Sequence, residues 1–227
     1  VLGGEEGVLA LGGGAGVRAR EELDAGERLL AVSAERVLSP ALALEELKAG
    51  GVLEDVEIDL SPSELLAFWV TWEGANPSFW APFIKSMLDE TMKMDTPLWW
   101  DEGEVDLLEG SPFVPALARR KEVLTAAYMR IFVEEFFSKH PERVEPAEHF
   151  TLHPFLRASE AVLAHSFPCA DNASLPCLVP TQELFRHMSG GARWGSEPRE
   201  SDGSPEYVLY APDFPHALGD EVLVDVA

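Results

Sequence analysis

The chain has 227 residues, of which 40 are acidic and 17 are Lys or Arg, giving a formal net charge of -23 at pH 7. Such a surface repels phosphate backbones and anionic headgroups, which disfavours nucleic acid and membrane surfaces as partners and leaves plain solubility or a basic protein partner to explain the acidity. A hydrophobic fraction of 46% is enough for a packed core, so the composition excludes global disorder and fits one large domain, or one domain with a substantial insertion.

The first apolar run, residues 8–11, ends in Gly12, Gly13, Gly14, Ala15 and Gly16. Residues 17–23 alternate loosely, Asp24-Ala25-Gly26 is a turn signal, and residues 27–32 read as a strand, so the spacing predicts a hairpin around that turn. This weighs against reading Gly14-x-Gly16-x-x-Ala19 as a relaxed dinucleotide fingerprint, which needs a helix directly after the glycines. No Gly-Lys-Ser/Thr follows, so a P-loop is excluded. Alone, the glycine cluster fits a flexible loop as well as a ligand loop.

From residue 60 the period becomes helical. Ser61-Pro62-Ser63-Glu64 supplies an N-cap, a proline at the first helical position and a capping-box glutamate. Leu65, Trp69 and Trp72 follow at helical spacing, with Leu66 and Phe68 widening the stripe. Phe79, Trp80, Phe83, Ile84 and Met87 make a second short face, and Thr96-Pro97-Leu98-Trp99-Trp100 reads as a buried turn. The acidic run 101–109 is a solvated face, with contact to a basic partner as its functional alternative. A long helix is predicted over 115–138, carrying Leu117, Leu124, Tyr128, Ile131 and Phe132 on one face, until Pro141 and Pro146 break the region. These aromatics are expected in the core.

Another helix is predicted over 154–167, with Ala158, Val162 and Leu163 inward. A Pro-led segment then carries His187 towards the interior. Residues 193–203 are polar and rich in Gly, Ser and Pro, which predicts a loop; 207–210 and 221–226 are expected strands, with a turn at 212–217.

Cys169 and Cys177 are close enough in sequence to bridge a loop, but two cysteines make no disulfide scaffold, and free thiols in a reducing compartment are the expectation. No apolar run approaches the roughly 20 residues of a membrane helix, and no targeting segment is readable after Val1. Glu148, His149 and His153 offer ligand types near i, i+4 spacing, yet Pro154 disfavours a continuous helix and the zincin pattern is lacking, so no metal site is expected. His165 and His187 are expected as core or semi-buried histidines. Ser166 beside His165 is no triad, because neighbouring helical residues point apart.

Taken in order, several stretches resemble one family. Gly14-Ala15-Gly16-Val17-Arg18-Ala19 with Leu23-Asp24-Ala25-Gly26-Glu27-Arg28-Leu29-Leu30 is similar to the opening of the SET domains of Rubisco large-subunit lysine methyltransferases and their histidine-methylating relatives. Ser78-Phe79-Trp80-Ala81-Pro82-Phe83-Ile84 resembles the family's "Ser-Phe-Trp-x-Pro-Tyr". Asp95-Thr96-Pro97-Leu98-Trp99-Trp100 and Leu107-Leu108-Glu109-Gly110-Ser111 look like its continuation, and Gly219-Asp220-Glu221-Val222-Leu223-Val224 like its "Gly-Glu-Glu-Val-x-Ile". The resemblance implies an α+β split SET domain: a β-rich core from residues 1–59 and 149–227, interrupted by a helical insert over 60–148. The family normally adds a C-terminal helical substrate domain, and this sequence stops before it.

Methyl transfer from S-adenosylmethionine needs a donor pocket, a channel for the acceptor amine and an aligned polar group at the reacting methyl. The resemblance implies that Gly14, Ala15, Gly16 and His187 would hold the donor. Its other positions are altered: the Asn before the His is Arg186, the "Ser-Arg" ending the long helix is Ala164-His165, the helix-start Trp is Arg157, and the Tyr of the closing "Ser-Tyr-Gly" falls on Val226. Arg accepts no hydrogen bond and its charge repels a sulfonium, and valine has no hydroxyl to aim. The preferred expectation is therefore a degenerate, non-catalytic SET-domain protein that needs no cofactor and serves as a protein-binding or scaffold subunit of a larger assembly. The alternative is a S-adenosylmethionine-dependent protein-lysine or protein-histidine N-methyltransferase. A plastid is the expected compartment, with the cytoplasm as alternative.

Overall fold

The computed structural model describes residues 9–11, 16–53, 59–76, 78–88, 96–141, 150–169 and 172–225. It divides into two compact units, Val1–Pro40 with His165–Ala227, and Ala41–Ala164. The first is discontinuous in sequence and carries all the strands among the described residues.

In that first unit, β1 (Leu9–Leu11), β2 (Val17–Ala19) and β8 (Glu221–Val222) form one antiparallel sheet in the order β1-β2-β8. Leu11 pairs with Val17 and Val17 with Val222, so the glycine cluster joins two antiparallel strands. The residues after Gly16 are strand, which removes the dinucleotide reading. A second sheet has the order β3-β7-β6, from β3 (Arg28–Ser33), β6 (His187–Pro198) and β7 (Pro205–Tyr210). A small hairpin pairs β4 (Ser166–Pro168) with β5 (Pro176–Leu178).

Two strand expectations are corrected here. The Asp24–Gly26 turn forms, with Gly26 at φ 74° and the Glu27 N–H donating to the Asp24 carbonyl, but β2 and β3 join different sheets instead of pairing. Leu23 instead bridges to His216. Residues 193–198, expected in a loop, belong to β6, and the reversal is confined to residues 199–204. β6 is an edge strand with much of its length exposed, so its polar composition reflects solvent rather than irregular backbone.

The core of this unit joins Val17, Leu23, Leu29, Phe167, Phe185, Leu209, Val222 and Val224. A neighbouring cluster holds Val37, Val179 and Tyr207 around Cys169 and Cys177, which form a disulfide with Cα atoms 5.0 Å apart. The expectation of free thiols is therefore overturned. The antiparallel β4–β5 pairing brings the two ends of the loop together, a placement that sequence spacing allows but does not dictate. On the β3–β7–β6 sheet the buried Glu206 is flanked by Arg28 and by Arg199 at 3.7 Å, while Arg28 also meets Glu197 at 3.0 Å.

The second unit is helical: α1 (Pro40–Ala49), α2 (Pro62–Ala75), α3 (Ala81–Met87), α4 (Glu102–Asp106), α5 (Phe113–Tyr128), then a π-helical stretch Met129–Phe136 and the turn α6 (Phe137–Lys139), and finally α7 (Leu152–His165), whose last residue falls in the first unit. The capping box of α2 forms as the sequence predicts, with Ser61 Oγ accepting from the Glu64 N–H and Glu64 from the Ser61 N–H. A second such box, Asp101 with Glu104, starts α4, whose acidic residues are solvated. Phe68, Phe132, Phe136 and Phe155 are fully buried and meet edge to face at 5.0–6.2 Å, which puts the predicted Phe68 and Phe132 in the core, whereas Phe79, also expected there, is 69% exposed. Both oxygens of Glu46 are engaged by indoles, accepting from Trp69 Nε1 at 2.8 Å and Trp80 Nε1 at 3.0 Å. One inward assignment on α7 is corrected: Ala158 and Val162 are buried, but Leu163 is 63% exposed. No helix among the described residues is long and apolar enough to cross a membrane.

Candidate functional site

The segment leaving β5 builds the site. Val179 is buried, Thr181 takes the left-handed conformation at φ 81°, and the fully buried Gln182 accepts a hydrogen bond from Trp194 Nε1. Residues Gln182–Leu184 make one 3-10 turn, and Phe185 enters the core. Arg186 and His187 then emerge at the start of β6. A left-handed threonine is costly, roughly 1–3 kcal/mol, and is held only because its neighbours on both sides are anchored.

Around Arg186 the chain is clasped. The Val224 N–H donates to the Arg186 carbonyl at 2.9 Å, the Ala192 N–H to the Leu223 carbonyl at 2.8 Å, and the Asp225 N–H to the Ala192 carbonyl at 2.8 Å. Residues 223–225 thus lie between residues 186–187 and 191–192. The approach is closest at Gly191, where a Cβ would stand 2.5 Å from the Leu223 carbonyl oxygen, so glycine is required there.

The Arg186 side chain turns to Glu221, with Nε 2.7 Å from Oε1. That oxygen is buried and accepts no aligned hydrogen bond, so the contact is charge against charge. The pair covers Gly16: a Cβ on Gly16 would lie 2.5 Å from Glu221 Oε1 and 3.6 Å from Arg186 Nε. Glu221 reaches this position because β8 pairs with β2 and places it opposite Arg18.

His187 is exposed, which corrects the expectation of an inward or semi-buried ring; it meets the edge of Phe167, at 6.1 Å between centroids. It starts an edge strand whose first residues face solvent, whatever the apolar run before it implies. His165 is half-buried, and burial, with the charge of His187 second, holds its pKa below the ordinary histidine value.

Of the residues that the sequence assigns to a donor pocket, the structure brings Gly16 to Arg186, the residue preceding His187. Gly14, Ala15 and Val226 lie outside the described residues, as do Glu148 and His149 of the metal candidate; His153 is exposed, edge-on to Trp99. The hydroxyls of β7 are engaged away from the clasp. Tyr210 donates to Glu197 Oε2 at 2.7 Å, a bond that raises its pKa, and the Tyr207 hydroxyl lies 3.8 Å from Cys177 Sγ. Arg157, at the family's Trp position, donates to the Leu88 carbonyl at 3.0 Å.

No protein-family model matches the chain, and no curated protein matches it in sequence. Its fold does match solved structures. The SET domain of LSMT bound to lysine and AdoHcy superposes with a TM-score of 0.71 at 16% identity, over 100% of this chain and 51% of that one. Its methyllysine and AdoHcy complex gives 0.71 at 17%, over 99% and 50%. Rubisco LSMT bound to AdoMet gives 0.67 at 18%, over 98% and 49%. The chain has an α+β SET-domain fold of the LSMT type, and it spans about half the length of the structures it matches.

Proposed function

We propose that this chain is a SET-domain protein whose donor site no longer accepts S-adenosylmethionine, and that it serves as a protein-binding, scaffold-type subunit. One observation carries the reading: the Arg186–Glu221 pair covers Gly16, the one described residue of the glycine loop that the family resemblance assigns to the donor. The residues present do not fit the group. The pair itself, with Arg186 61% exposed, contributes under about 1 kcal/mol and would not by itself exclude a ligand. The larger effects follow from arginine standing where the family has asparagine. Loss of a side-chain acceptor costs about 1–3 kcal/mol. A guanidinium near a sulfonium adds roughly 1–4 kcal/mol of repulsion at about 4 Å. Together they amount to about 2–7 kcal/mol, and at the middle of that range, roughly 4.5 kcal/mol, they weaken a micromolar donor, worth about 8 kcal/mol, to the millimolar range.

The partner class follows from charge. A surface of net charge -23 favours a protein with a basic face, within a larger assembly, over nucleic acid. Residence in a plastid rests on the family resemblance alone, now that the thiol argument is gone; fractionation of the source cells with an antibody to the chain tests it.

A second reading has its own support: solved structures of this fold carry AdoHcy together with lysine or methyllysine, or AdoMet. On that reading the chain belongs to a protein-lysine or protein-histidine N-methyltransferase, and Arg186 swings aside to admit the donor. Incubation with tritiated S-adenosylmethionine and an extract of the source cells separates the two. The scaffold reading expects no labelled protein beyond that of the extract alone and recovery of the chain in a high-mass complex; a labelled band that appears only when the chain is added would establish the second reading instead.

A further inference from the structure

We propose that the Cys169–Cys177 disulfide is a redox-sensitive latch on the segment that carries Arg186 and His187. The inference is independent of whether the donor site is closed. The bond sits at the loop end of the β4–β5 hairpin, where Phe167 pairs with Cys177 and the Cys169 N–H donates to the Leu175 carbonyl at 2.9 Å. Both cysteines are buried, at 2% and 0% exposure, among Val37, Val179 and Tyr207.

Among the described residues, the hairpin is tied to the rest of its unit by backbone hydrogen bonds at one position. Leu178 and Leu38 exchange both hydrogen bonds, each at 2.9 Å. Directly beyond that tie the chain passes through left-handed Thr181 and buried Gln182 to Arg186, with no regular strand pairing until β6. The conformation of residues 179–186 therefore depends on how firmly β5 is held, and the disulfide is the covalent part of that hold.

Reduction by a dithiol breaks the S–S bond, places a hydrogen on each sulfur and leaves the reductant as its own disulfide. Two separate thiols need more room than a bonded pair, and in a fully buried cluster that room comes only by moving Tyr207, Val37 or the hairpin itself. Release of the short loop also restores chain entropy to the unfolded state. A reducing environment thus loosens β5 and, through it, the strained segment that presents Arg186.

The test uses the whole chain, purified without reductant. Under native conditions the cysteines should resist alkylation. Treatment with dithiothreitol should make both alkylate, lower Tm by roughly 5–10 °C, and speed proteolytic cleavage within residues 172–187 roughly tenfold or more. The Cys169→Ser/Cys177→Ser double variant should match the reduced protein and give no further response. Three results overturn the proposal: alkylation of the untreated protein, reduction achieved only in denaturant, or native reduction with Tm and cleavage unchanged. The last two are read on the wild-type chain, so misfolding of the variant does not spare the idea.

Discussion

Arg186 Nε lies 2.7 Å from Glu221 Oε1, and the two side chains together cover the position where a side chain at Gly16 would stand. The contact depends on two backbone facts: β8 pairs with β2, and residues 223–225 run back past the Arg186 carbonyl. Glu221 and Arg186 together therefore set what Gly16 faces.

Replacing Arg186 by Asn removes the cation and restores an acceptor. The variant should gain S-adenosylmethionine affinity by at least tenfold over the wild-type chain, the equivalent of about 1.4 kcal/mol. A thermal-shift series over donor concentration reads this directly. Stability without donor should change by less than about 1 kcal/mol, since the lost pair is largely exposed.

Gly191 is predicted to be the least tolerant glycine. Its Cβ would meet the Leu223 carbonyl carbon at 2.9 Å and the Asp225 nitrogen at 3.1 Å, backbone atoms that cannot rotate away. Gly191→Ala should cost about 3 kcal/mol or more in urea unfolding. Gly203→Ala is the control: its φ is +72° but nothing lies within 4 Å, so only the backbone penalty of about 1 kcal/mol applies.

In the helical unit, Glu46 holds the indoles of Trp69 and Trp80. Glu46→Ala strands two buried donors and should cost about 2–4 kcal/mol, with a red shift of tryptophan emission. Glu46→Gln keeps one acceptor and should lose less. It also removes a charge that, after burial, helps keep the pKa of nearby Glu73 raised.

His165 gives a pH signature. Its folded pKa lies below the ordinary 6.5 because burial, and then His187, disfavour the cation. As pH falls, the unfolded chain binds the proton first, so stability is lost from about the ordinary value down through the lowered one and is unaffected above it. His165→Gln should therefore gain on the wild-type chain progressively as pH drops through that window, and match its trend at higher pH. Denaturant midpoints measured across the window decide it.

Much of this fold is legible in the sequence because its signals are local. The Ser61–Glu64 capping box, the aromatic stripe from Leu65 to Trp72 and the helix containing Leu117 to Phe132 each declare themselves within a few residues, and the structure places them accordingly. The failures concern partners distant in sequence. The Asp24–Gly26 turn looks like a hairpin, but β2 finds β1 and β8 while β3 finds β7. The cysteine spacing permits a bridge, and only the β4–β5 pairing decides for one. At the site, substitution of Arg186 is visible in the sequence as a missing acceptor. That its charge is met by Glu221, on the strand opposite Arg18, has no local signature.

Titration calorimetry of S-adenosylmethionine into the purified wild-type chain tests the closed site most directly. No saturable heat is expected at donor concentrations below roughly 1 mM. A one-to-one isotherm with a micromolar Kd would contradict it, and would mean that the arginine leaves Glu221 to let the donor in.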